Sequence, residues 1–167
     1  MASRFQIGAI RLVEAHFSLN RQFKWESGKP VEIPQNVEIK YQQIKEKNIR
    51  VLVSVSSVSD QQPFRFSIAW EGSFAFEEKL RKEELEPIAH IHCASIMFAY
   101  IRESVADLTR RANLPALNLP PYNFAALYEE NRKSAPSAAP RKIRKKPEAL
   151  QKPSAPRQPK DAKIQES

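Results

Sequence analysis

Glycine and cysteine are both scarce in this chain, with three glycines and one cysteine. Gly8, Gly28 and Gly72 stand too far apart to build a phosphate-cradling loop, which needs several glycines close together. Cys93 alone excludes an internal disulfide and fits a reducing compartment. No uninterrupted apolar run approaches the ~20 residues of a membrane span. The opening Met1-Ala2-Ser3-Arg4-Phe5-Gln6 lacks the apolar stretch of a signal peptide, so cytoplasmic residence is the expectation. Metal chemistry is equally poor in candidates. His90-Ile91-His92-Cys93 is the one tight cluster of ligand types, and His16 is the only other histidine, so four ligands cannot be assembled from Cys and His pairs. A Cys/His nucleophile pair would need a third orienting group and a donor pocket, which this spacing does not supply. Glu77-Glu78 and Glu83-Glu84 sit among lysines and arginines and read as solvated charge. No catalytic residue, metal or cofactor is expected; a binding protein is.

The net charge of +8 is unevenly placed. Residues 134–167 hold nine lysines and arginines against three acidic residues, whereas residues 1–133 hold eighteen against sixteen. The body, 1–133, is therefore close to neutral, and nucleic-acid binding cannot rest on it. From Ser134 the composition turns to Ala, Pro, Ser, Lys and Arg with no aromatic residue, which predicts a disordered basic tail over 134–167. Its run Arg141-Lys142-Ile143-Arg144-Lys145-Lys146 could tether an anionic partner, but lacks the interleaved aromatics that stack on bases.

Four body segments alternate with period two, the mark of half-buried strands. Val13, Ala15, Phe17 and Leu19 share one face of the first, opposite Glu14, His16 and Ser18. Val37, Ile39 and Tyr41 define the second, and Ile49, Val51, Val53 and Val55 the third. Phe64, Phe66, Ile68 and Trp70 define the fourth, opposite Arg65, Ser67 and Glu71. Lys45-Glu46-Lys47-Asn48 and Ser59-Asp60-Gln61-Gln62-Pro63 are polar enough to connect strands two, three and four as hairpins. Asn20 to Gln35 carries Gly28, Pro30 and Pro34 beside Phe23, Trp25, Val31 and Ile33, and reads as a long crossover with apolar side chains to place.

Beyond Glu86 the period becomes helical. Pro87 suits a first helical turn; Met97, Ile101, Val105 and Leu108 follow on one stripe, and Arg110-Arg111 suit the negative C-terminal end. Pro115, Pro120 and Pro121 mark a loop, after which Asn123 can cap a second helix bearing Phe124, Leu127 and Tyr128 on one stripe. The expected fold class is α+β: a four-stranded antiparallel sheet with two C-terminal helices packed on one side.

One stretch is more specific than all of these: Leu114-Pro115-Ala116-Leu117-Asn118-Leu119-Pro120-Pro121-Tyr122-Asn123-Phe124-Ala125-Ala126-Leu127-Tyr128. It resembles the C-terminal signature of the SecB family, bacterial chaperones that hold preproteins unfolded for export. Met97-Phe98-Ala99-Tyr100-Ile101-Arg102-Glu103 resembles a second segment of that family, with Ala99 in place of its proline, and Phe5-Gln6-Ile7 its opening strand. The resemblance covers about Phe5 to Tyr128. It implies an ATP-independent, cofactor-free holdase, a homotetramer built as a dimer of dimers, and apolar grooves that accept extended polypeptide. It also implies a groove lined by Ile33, Val37, Ile39 and Tyr41, with Phe124, Leu127 and Tyr128 supplied by a lid helix. In export members an acidic sheet surface docks the preprotein translocase motor, at positions similar to Glu14, Ser18 and Ser67. Here Glu14 alone keeps a charge, and Arg65 stands beside the others. Three functions follow as expectations: a chaperone for protein export, a chaperone dedicated to one client such as an antitoxin, or, from another class, a nucleic-acid- or ribosome-associated adaptor acting through the basic tail.

Overall fold

The computed structural model describes residues 5–134; the tail expected over 134–167 lies outside the described residues beyond Ser134. Four strands, β1 (Phe5–Leu19), β2 (Gln35–Lys45), β3 (Asn48–Ser57) and β4 (Phe64–Phe76), form one antiparallel sheet in the order β1-β4-β3-β2. The α+β reading holds: helices follow the strands in the chain, and they cover one side of the sheet. No described helix is long and apolar enough to cross a membrane.

The alternation of β3 translates directly into burial. Ile49, Val51, Val53 and Val55 are each at most 1% exposed and point toward the helices, while Arg50 points the other way. β4 contributes Phe64, Phe66 and Ile68 to the same layer, then continues past Trp70 with Gly72, Phe74 and Phe76, all buried. A β-carbon at Gly72 would sit 2.5 Å from Met97 Sδ, so the missing side chain is what lets the helix approach β4 there.

β1 corrects two details of the sequence reading. It begins at Phe5, and its register with β4 shifts between Ile7 and Ile10 and again between Leu12 and Glu14. Leu12 faces Trp70 and Ala15 faces Ile68, so Val13 is the extra residue of the second bulge and shares no face with Ala15 by simple alternation. Val13 is accordingly 54% exposed. Leu19 pairs with Phe64 but is also half-exposed, because the helices lie over β3 and β4 and leave much of β1 bare.

Pro87 departs from the sequence reading as well. It closes helix α1 (Lys82–Pro87) and does not open the helical run. The start is set by Arg81, whose N–H donates to Glu84 Oε2 at 3.0 Å while its guanidinium donates to Oε1 at 2.9 Å. A proline six residues in removes one helical donor, and the chain continues through a π-helical turn, Ile88–Cys93, into α2 (Ala94–Arg111). The stripe Met97, Ile101 and Val105 is fully buried, and Trp70 Nε1–H donates to Ser104 Oγ at 3.0 Å.

α2 ends in a paired-hydrogen-bond cap: Leu114 N–H reaches Thr109 O and Asn113 N–H reaches Arg110 O, with Asn113 taking the left-handed φ of 58° often given to glycine. Thr109, wholly buried, donates its hydroxyl to the Val105 and Ala106 carbonyls and accepts Leu117 N–H at 2.9 Å. That one oxygen ties the Pro-rich loop to the helix. Thr109→Val keeps the shape but orphans the Leu117 N–H, and is expected to cost about 1–3 kcal/mol in urea unfolding; an unchanged midpoint would contradict this role.

Candidate functional site

Helix α3 (Phe124–Ser134) is held out from the loop by its cap: Ala126 N–H donates to Asn123 Oδ1 at 3.0 Å, as the sequence pattern predicts. Between α3 and the crossover lies an open cavity of about 490 Å³. Ile33, Pro34 and Gln35 form one wall; Pro120, Pro121, Tyr122, Asn123, Ala126, Leu127 and Glu130 form the other. Its lining is mostly apolar. Such a surface can take apolar side chains without demanding a particular sequence.

Seven residues were expected to line a groove, and the structure distributes them unequally. Ile33 and Leu127 meet across the cavity, both half-buried. Val37, Ile39 and Tyr41 turn toward the helices and pack, half-buried, against the core. Tyr128 is half-buried on the neighbouring side of α3. Phe124 is 4% exposed, its ring centroid 5.5 Å from Phe98 and 5.8 Å from Tyr122. It anchors the helix in the core and presents no surface.

The edge position of β2 adds a second property. Val58 N–H donates to Pro34 O at 3.2 Å. In the register that pairs Gln35 with Ser57, this turns the main-chain groups of Asn36, Glu38 and Lys40 toward β3. By the same alternation, those of Val37, Ile39 and Tyr41 face the open edge. The same residues thus offer apolar side chains to the helix layer and hydrogen-bonding backbone to whatever lies beside β2.

Glu14 lies on the opposite, wetter face, where its carboxylate accepts a 2.6 Å hydrogen bond from Ser67 Oγ. The arginines nearby are paired with other carboxylates: Arg11 and Arg50 both reach Glu71, at 2.7 and 3.5 Å, and Arg65 reaches Asp60 at 2.9 Å. The face is not acidic.

The cysteine and histidines separate. Cys93 is fully buried, and burial pushes its thiol up to about 12, so it stays protonated and unreactive near neutral pH. His92 is exposed, whereas His90 is half-buried between Tyr41 and Tyr128. Among the described residues no three Cys, His, Asp or Glu side chains gather as a metal site would require. Sequence reasoning missed His90's neighbours and the loop walls Pro34, Pro121 and Tyr122. The signal for the loop was present, since Pro120-Pro121-Tyr122 lies inside the specific stretch quoted above but was read only as a helix stop.

Comparison with known proteins gives a consistent picture. A family model described as preprotein translocase subunit SecB matches residues 14–135. A protein-export protein SecB of Paraburkholderia xenovorans is 32% identical over 97 residues, which are 56% of this chain and 62% of that protein. One of Burkholderia vietnamiensis is 33% identical over 97 residues, 56% of this chain and 60% of its own length. The match therefore spans about three-fifths of each of these relatives. Among solved structures, a Mycobacterium tuberculosis SecB-like chaperone in complex with a ChAD peptide from the HigA1 antitoxin superposes with a TM-score of 0.54. Identity to it is 22%, covering 71% of this chain and 88% of that one, a likeness of fold.

Proposed function

Because this chain belongs to the SecB family, matched over residues 14–135, we propose that it is an ATP-independent holdase, binding non-native polypeptide in an extended form and catalysing no reaction. One observation carries the reading: the open apolar cavity between Ile33 of the crossover and Leu127 of α3, beside the free edge of β2. An extended chain laid there would place alternate side chains in the cavity while its backbone faces the outward groups of Val37, Ile39 and Tyr41. Little in such contacts distinguishes one sequence from another, which is what a holdase requires. In this reading a bound chain would reach on to Tyr128 and the half-buried side chains of β2, with Phe124 anchoring the helix in the core.

Assembly as a homotetramer, a dimer of dimers, belongs to the same reading. Ile7, Leu12 and Leu19 on β1 are 48–49% exposed, and an apolar strand bare to this degree is stabilised by covering it. Cytoplasmic residence accords with the buried free thiol of Cys93. Coupling to the preprotein translocase motor through Glu14 is poorly supported, since Ser67 engages that carboxylate and the acidic groups Glu71 and Asp60 are paired with Arg11, Arg50 and Arg65. A chaperone dedicated to one client is the second reading, favoured by that loss of free acidic charge and by the antitoxin peptide held by the M. tuberculosis chaperone of similar fold.

The test is suppression of aggregation. Several unrelated denatured proteins diluted into excess of this chain should remain soluble if it serves export broadly. Protection of a single client encoded beside it would select the dedicated reading, and precipitation of every client at its unassisted rate would refute both.

A further inference from the structure

α3 is fastened through Phe124, Leu127 and Tyr128, all near its N-terminal end. Phe124 is sunk in the core, and one turn on, Tyr128 meets His90 with ring centroids 5.6 Å apart and planes at 37°. His90 in turn stands edge-on to Tyr41 of β2, at 5.8 Å and 85°. The imidazole therefore bridges the lid helix to the edge strand, and the π-helical turn after Pro87 is the element that carries it. The remaining outward positions of α3, Ala125, Ala126, Glu129 and Glu130, are exposed and fix nothing.

We propose that His90 is the positioning residue of this lid, a latch that keeps α3 closed against β2 while its ring is neutral and releases it when the ring takes a proton. The charged and titratable groups around the imidazole are few. Glu86 precedes it by one turn on the same helical run, Tyr41 faces it from β2, and Tyr128 faces it from α3, with Glu129 adjacent and the Arg132 guanidinium 5.8 Å from the Tyr128 ring centre. Burial holds His90 below the ordinary histidine value, opposed in smaller part by Glu86. Burial likewise raises Tyr41 and Tyr128, with Glu86 adding to both, so all three rings favour their neutral forms in the closed arrangement. An open form with His90 in water binds its proton more readily. The closed form is thus fully stabilised above the ordinary histidine value of about 6.5, and loses that stabilisation as pH falls from there through the lowered value of His90. The inference does not depend on what the groove holds.

Amide hydrogen exchange of residues 125–132 in the full chain, corrected for intrinsic rates and referred to residues 94–105 of α2, reads the latch. Protection of α3 should hold from about pH 8 to about pH 6.5 and then fall toward about pH 5 by as much as about tenfold per pH unit, the limit for one linked proton, while α2 stays constant. The fall should begin near the ordinary histidine value and level off where the His90 ring itself titrates, as followed by NMR. His90→Phe, which keeps a flat neutral ring between the tyrosines, should hold α3 protected across the range. Unchanged protection in wild type, or an equal fall in His90→Phe, would overturn the proposal. If His90→Phe does not fold, the wild-type curves decide: a His90 ring that titrates by NMR at or above the ordinary histidine value, or protection that keeps falling below the ring's titration, overturns it as well.

Discussion

Leu127→Asp is expected to bind unfolded polypeptide about thirtyfold more weakly than the wild type, a loss of about 2 kcal/mol, while melting at nearly the same temperature. Leu127 lines the cavity with Ile33 and is only half-buried at the edge of the core, so its removal disturbs the packing little. A bound chain would cover it, and a carboxylate covered by apolar side chains without a partner is unfavourable in a way that leucine is not. Helix stability changes little. Aspartate forms helix less well than leucine by about half a kcal/mol, but position 127 lies in the first turn of α3, where a negative charge is favoured. Anisotropy of a labelled extended peptide against a thermal melt separates the two quantities. Glu130→Ala, at the cavity rim, should leave both unchanged. Wild-type affinity in Leu127→Asp would mean that polypeptide is held elsewhere, and the cavity would lose its assigned role.

Much of this architecture is legible in residue order because β2, β3 and most of β4 alternate without interruption, and a buried face with strict period two permits one register. The two-residue turn Glu46-Lys47 and the capping Asn123 are equally local signals. What escaped is where local signals and tertiary structure diverge. Bulges in β1 reset the alternation, so Val13 reads as a core position and is exposed. Pro87 reads as a helix opening because a proline inside a helix is unfavourable; here a wider π-helical turn follows it and the helical run is not broken. The candidate site divides in the same manner. Ile33 and Leu127 follow from the family resemblance, but Phe124 shares a helical stripe with Leu127 and Tyr128 and still ends in the core, since Phe98 and Tyr122 close over it. His90 stands out in the sequence only as part of the one tight cluster of ligand types, which reads as no metal site. Its actual neighbours, Tyr41 and Tyr128, come from β2 and α3, and no spacing rule reports that meeting.

Phe74→Ala is expected to show the opposite signature to Leu127→Asp: a destabilisation of about 3–5 kcal/mol with client binding preserved wherever the protein is still folded. Phe74 is 1% exposed, pairs in register with Ile7 on one side and Ile49 on the other, and meets the Phe5 ring edge-on at 5.7 Å. Gly72 beside it has no side chain to move into the vacated space, and Met97 already fills the gap above that glycine. The cavity would therefore persist, which puts the cost at the upper part of the range for such truncations. Against a total of about 5–15 kcal/mol for an ordinary domain, a shift of this size dominates the urea midpoint. Ile49 opens β3 whereas Ser57, opposite Gln35 of the cavity wall, closes it, so the lesion and the cavity lie at opposite ends of the sheet. If stability and client binding fall together in Phe74→Ala under folding conditions, the cavity is not an independent surface on a rigid sheet, and holding a client would instead draw on partial opening of the core.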